Sequence, residues 1–189
     1  MNRRAAGLVL AIALLVVAGG LVWWWARGRD AEIAGAEGPP PGGTGKRMTL
    51  EAVLYFPGPQ GGLVAERRRL ETTDVPAHQV WSVVRAALVG PQNDALGRIF
   101  PEDVKVGAVL IGPEGTAYVD LRAPERPNPP PGGSTAEMHM VYGLVNAVTE
   151  SVPSVRSVAL LWNGSQRRTF SGHLDTSRPL AADRSLVAR

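Results

Sequence analysis

Apolar residues crowd the start of the chain and then thin into periodic patterns. From Ala5 to Ala26 the chain runs 22 residues without a charge, rich in Leu, Val, Ile and Ala. As a helix such a run extends about 33 Å, enough to cross a hydrocarbon core of roughly 30 Å. It closes on Trp23, Trp24 and Trp25, amphipathic rings of the kind that settle at a membrane–water interface. Arg3 and Arg4 precede it, whereas Arg27 and Arg29 behind it are diluted by Asp30 and Glu32. The positive-inside rule then puts the N-terminus in the cytoplasm and the rest of the chain outside. A cleaved signal peptide with its cut near Val16-Val17-Ala18 is the competing account. Continuation of the run through Leu21, Val22 and the three tryptophans favours a retained anchor. Residues 1–29 are therefore expected to form a cytoplasmic stub and a single-pass signal anchor, with Arg3, Arg4 and Trp23–Trp25 as its interface residues.

Periodicity vanishes over residues 30–47, where Gly, Pro, Ala and charge leave Ile33 as the one large apolar side chain. Such a stretch buries too little surface to offset its ordering entropy and reads as a linker. Thr49–Phe56 is then β-rich and closed by Pro57-Gly58, and Leu63–Leu70 answers it across Gly61-Gly62 as a hairpin. Val80, Trp81, Val84, Ala87 and Leu88 then recur at helical spacing. Asp74 and Pro76 offer a start to that helix, and Gly90-Pro91 a stop. Val104–Ile111 and Thr116–Leu121 form a second hairpin; Ala117, Val119 and Leu121 alternate with Tyr118 and Asp120, which puts Asp120 on the solvent face. Ser134-Thr135-Ala136-Glu137 has the spacing of a capping box and opens a helix with Met138, Val141, Leu144, Val145 and Val148 on one face. Ser157–Trp162 is a last long strand, turned by Asn163-Gly164 into a return over Arg167–Ser171, and the tail from Gly172 reads as irregular. The order β-β-α-β-β-α-β-β predicts an α+β domain over residues 48–189, with one small mixed or antiparallel sheet and two helices packed on one face.

Charge narrows the partners. The chain carries a formal +3, yet residues 48–189 hold 14 Lys and Arg against 14 Asp and Glu, so the surplus sits in the first 47 residues. Nucleic-acid binding needs its basic surplus on the folded domain, so that reading loses its main support and no nucleic-acid partner is expected. Arg67-Arg68-Arg69 is then a charged edge strand before it is a binding patch. Absence of cysteine removes disulfides, thiolate metal sites, a cysteine nucleophile and a lipoprotein-type acylated cysteine.

Several segments together resemble the GerMN domain family, also called the sporulation and spore germination domain. They are Val53-Leu54-Tyr55-Phe56, Leu63-Val64-Ala65-Glu66-Arg67-Arg68, Leu88-Val89-Gly90-Pro91, Ile99-Phe100-Pro101 and Ala117-Tyr118-Val119-Asp120-Leu121. The series continues with Gly133 to Glu137, Asn163-Gly164 and Gly172 to Leu180, in order over Thr49 to Leu186. The resemblance implies an extracytoplasmic module with a fold like the ring-building modules of secretion and sporulation complexes. It also implies a role in cell-envelope or spore-assembly processes through protein contacts rather than catalysis. This chain shows one copy of the domain and no lipid-attachment cysteine.

Candidate chemistry is sparse. No H-E-x-x-H, G-x-S-x-G, phosphate-loop or dinucleotide motif occurs, and His78, His139 and His173 lie in different segments. His139 stands two residues from Glu137, whereas zinc ligands on one helix face need i and i+4. His173-Leu174-Asp175 is the best candidate: alternation puts His173 and Asp175 on one side of an extended segment, where they either bind a ligand or fasten the loop. The expected function is a membrane-tethered, non-catalytic interaction module outside the cytoplasm, assembling with itself or with a protein partner and needing no cofactor. The alternative is a cell-wall-directed ligand-binding or hydrolytic domain using the His173/Asp175 loop.

Overall fold

The computed structural model describes residues 45–188. The expected anchor, its interface residues Arg3, Arg4, Trp23, Trp24 and Trp25, and linker residues 30–44 lie outside them. Among the described residues no helix is long and apolar enough to cross a membrane.

Strands β1 (Arg47–Pro57) and β2 (Leu63–Thr73) form a long antiparallel hairpin, followed by helix α1 (Pro76–Val89). Strands β3 (Lys105–Ile111) and β4 (Thr116–Arg122) make a second hairpin; helix α2 (Ser134–Ser151), β5 (Ser157–Trp162) and β6 (Ser165–Gln166) complete the order. Element order is as the hydrophobic pattern predicts, but the single sheet is not. The strands divide into a two-stranded sheet, β1-β2, and a four-stranded sheet, β3-β4-β5-β6, with β4 and β5 parallel. The outer edge of β1 is occupied by other structure. Val53 N–H donates to Ser151 Oγ at the end of α2, and Gly97 N–H from the α1–β3 loop donates to Pro57 O. Alternation reports which face of a strand is buried and says nothing of what pairs with its edge. Both helices touch strands of both sheets, rather than backing one face of one sheet.

The core joins the two halves. Leu54 and Phe56 of β1, Val80, Val83 and Val84 of α1, Leu121 of β4, Leu144 of α2 and Trp162 of β5 are fully buried in one cluster. Gly143 lets α2 approach closely: a Cβ there would stand 3.1 Å from Tyr55 O and 3.0 Å from Ile99 Cγ2. Two edge-to-face contacts, Phe100 on Phe170 and Phe170 on Trp162, tie the α1–β3 loop to β5.

Several element ends differ from expectation. Asp74 does not cap α1; its carboxylate accepts from Lys46 N–H at 2.9 Å, and Val75 is the cap residue. Gly90 closes the helix at φ 99° and ψ 176°, a glycine region distinct from the left-handed cap. Ser134 is the first residue of α2 rather than its cap, and Glu137 turns away from the helix start. Asn163 (φ 49°) and Gly164 (φ 81°) make the expected tight turn. The strand it returns is Ser165–Gln166, two residues long, in place of Arg167–Ser171.

The C-terminal tail is a strap. Leu180 exchanges both backbone hydrogen bonds with Val158 of β5 at 2.8 Å, and Ala188 N–H donates to Leu63 O of β2 at 2.8 Å. Between them the Asn146 side chain of α2 donates to Asp183 O and accepts from Asp183 N–H, each at 2.9 Å. The tail thus ties the four-stranded sheet, α2 and the two-stranded sheet in turn.

Candidate functional site

His173 and Asp175 do not act as a pair. Asp175 is exposed and accepts from Ser177 N–H and Oγ–H at 2.9 and 2.6 Å, which holds its carboxyl below the usual range. His173 turns instead to Glu137 on α2. The Glu137 side chain is fully buried and its carboxylate accepts from the N–H groups of Ser171, His173 and Leu174 at 2.6, 2.8 and 3.1 Å. The ring Nδ1 of His173 stands 2.9 Å from the same carboxylate. Burial pushes the Glu137 carboxyl up, and the three amide donors with the imidazole outweigh it, leaving the group below its ordinary value. Successive amides converging on an anion form a nest, here filled by the chain's own glutamate, with Gly172 at φ 115° supplying the bend. Chemically, the arrangement orients one ring nitrogen of a half-exposed histidine and fastens the loop to α2.

The other sequence candidates sit elsewhere. His78 is buried on α1 with Nδ1 2.8 Å from Thr73 Oγ1, and His139 is half-buried on α2, where burial lowers its pKa. Asp120 is buried, correcting the expected solvent face: it pairs with Arg122 and accepts from Gly164 N–H at 2.7 Å, so it braces the Asn163-Gly164 turn. Among the described residues no three His, Asp or Glu side chains converge as a metal site.

Arg67, Arg68 and Arg69 have three different roles. Arg68 faces inward, pairs with Glu66, lies 5.5 Å above the Phe56 ring and donates to Ala86 O and Gly90 O at the end of α1. Arg69 is exposed and pairs with Glu51. Arg67 is exposed and makes no hydrogen bond or ion pair among the described residues.

Beside Arg67 lies the surface that sequence reading missed. A hollow of about 650 Å³ runs between residues 67–71 of β2 and the α1 side chains Trp81, Arg85 and Val89. Two further hollows, of about 400 and 340 Å³, flank it, and Trp81 lines all three. Arg85 has no hydrogen bond or ion pair and lies 5.4 Å over the Trp81 ring, while the Trp81 Nε1 donor is buried without a partner. Val89 is 64% exposed. The i, i+4, i+8 spacing of Trp81, Arg85 and Val89 was a visible helical stripe, but the tryptophan counts as core by the same periodicity.

Residues 53–168 match the family model Germane, described as sporulation and spore germination. The first GerMN domain of the sporulation protein GerM from Bacillus subtilis is similar in fold, with a TM-score of 0.56 at 19% identity over 72% of this chain and 99% of that one. Against the tandem GerMN domains of the same protein the TM-score is 0.57 at 18% identity, over 71% of this chain and 46% of that one. A candidate lipoprotein from Clostridium perfringens gives 0.52 at 18% identity, over 76% of this chain and 94% of that one. Among curated proteins none matches in sequence. At such identities the structural likeness speaks to fold alone.

Proposed function

The chain belongs to the Germane family of sporulation and spore germination domains, and from that premise we propose a non-catalytic interaction module of the cell envelope. Residues 1–29 hold it at the membrane, residues 30–47 space it from the lipid, and the domain works outside the cytoplasm on a protein partner or a second copy of itself. One contrast carries the reading. The polar groups best suited to chemistry are engaged by the fold, Glu137 and His173 with each other and Asp120 with Arg122, whereas the β2–α1 surface is left open. The competing reading, a cell-wall-directed ligand-binding or hydrolytic domain, needs His173 and Asp175 to act together, and they face Glu137 and Ser177 respectively.

The test is site-specific photo-crosslinking of the full chain in intact membranes. Probes go at Val89 on α1 and at the exposed Leu110 and Tyr118 on the second hairpin. A discrete adduct from any of them, with the chain itself or another envelope protein, supports an interaction module. Monomer alone at all three positions sinks it. Resistance of the full chain to carbonate extraction, lost on deleting residues 5–26, checks the anchor.

A further inference from the structure

We infer that the groove between β2 and α1 receives an extended acidic peptide segment, which adds to β2 as a further strand. This rests on the interaction-module reading and names the chemistry of its partner.

The backbone geometry comes first. Gly58 N–H donates to Gly62 O just beyond one end of the β1–β2 ladder, and Asp74 N–H to Lys46 O just beyond the other. In an antiparallel pair, bonded and non-bonded residues alternate, so the even-numbered residues of β2 face β1. Odd-numbered Ala65, Arg67, Arg69 and Glu71 turn their N–H and C=O groups to the outer edge. Leu63, also odd, confirms the phase, since its outward carbonyl takes the Ala188 N–H of the strap. Beyond that point no backbone hydrogen bond reaches the outer edge from Ala65 to Glu71 among the described residues. That edge borders the hollow: five consecutive residues, 67–71, line it, as a strand edge would and a strand face, contributing every second residue, would not.

Charge then selects the occupant. Arg67 and Arg85 border the same hollow with no carboxylate partner, although the domain as a whole has equal numbers of acidic and basic residues. Charged residues on an open edge also deter aggregation, and either sign serves for that. The groove adds features that protection does not need. The Arg85 guanidinium is stacked on Trp81, the indole donor of Trp81 is buried and unmet, and an exposed valine stands at the end of the stripe. Main-chain bonds to an edge with pockets for alternate side chains are how extended peptides are captured beside a helix. Alternate side chains of an added strand fall on opposite faces. A strand alternating acidic and apolar residues would therefore set its carboxylates on the face of Arg67 and its apolar side chains on the α1 face toward Trp81 and Val89. The exposed Arg85 charge attracts the segment as a whole.

The experiment presents the full chain, in detergent micelles, to an array of heptapeptides in which Asp or Glu alternates with each apolar residue. A matched array carries Lys or Arg at the acidic positions. Binding confined to acidic peptides is expected, weakening with added salt. It should fall about tenfold or more in the Arg67→Glu, Arg85→Glu double variant, whose two side chains are exposed and unpaired; circular dichroism checks its fold. N-methylating alternate residues should abolish binding in one of the two phases and spare it in the other. Equal binding of both arrays, or indifference to methylation in both phases, overturns strand addition. Methylation-indifferent binding displaced by poly(glycerol phosphate) marks instead an anionic-polymer site and overturns it too. Failure of every peptide, with crosslinks retained at Leu110 or Tyr118, overturns the inference and leaves the interaction module standing.

Discussion

Glu137 keeps a charge in the core because the chain delivers three amides and an imidazole to it. Its folded pKa lies below the ordinary value, so the stability it contributes is complete above the unfolded carboxyl range and is lost as pH falls through the folded value. Acid unfolding should therefore begin with release of the 171–174 loop, seen as early amide exchange there. Glu137→Ala strands those donors and should cost about 3–5 kcal/mol in urea unfolding. Tyr55 has the opposite sign. Burial, with a 2.6 Å hydrogen bond from its hydroxyl to Glu150, pushes it up to about 12. Its contribution is intact below the unfolded phenol value and is lost as pH rises through about 12. Tyr55→Phe should flatten that alkaline limb in a pH series of thermal melts. The glutamate was visible in the sequence at a capping-box position; its true partners, 34 to 37 residues away, were not.

At the scale of elements, the end of α1 shows how distant residues replace local signals. The helix has no basic residue in its last turn, and its terminal carbonyls are met from elsewhere. Arg68 of β2 reaches Ala86 O and Gly90 O, and Arg98 of the following loop reaches Leu88 O and Val89 O. Positive charge at a helix C-terminus is favourable wherever it originates. Arg68→Ala should cost about 2–4 kcal/mol, since it removes the guanidinium from a nearly buried Glu66, which keeps only the Gln92 and Asn93 amides, and strands Ala86 O and Gly90 O. Arg98→Ala, at a more open site, should cost about 1–2 kcal/mol. Denaturant melts of both variants and their double test whether they act as one cap, in which case the costs do not add. The strands and helices themselves were legible because each carries its own period. β6 was misplaced because an Asn-Gly turn specifies where a hairpin begins and not how far it pairs.

For the whole molecule the C-terminal strap is decisive. Composition gave it no element, and apart from the short Arg184–Leu186 turn it forms none, yet it meets β5, α2 and β2 in succession. A chain ending at Ser177 loses the Leu180 and Ala188 pairings and uncovers Leu63, which is otherwise fully buried. Its thermal midpoint should fall by about 10 °C or more, with protease cuts appearing first in β2. The family match ends at residue 168, before the strap and before His173.

By itself the sequence determined the two helices, the five long strands, their order and the family, because period and turn chemistry act over a few residues and are written where they act. Tertiary structure alone decided that the strands split into two sheets, that Glu137 serves a remote loop, that Asp120 is buried and that β2 keeps an open edge beside Trp81. Each of these depends on which surfaces meet across long separations. Local periodicity fixes the face a side chain takes, and only packing decides what lies opposite it.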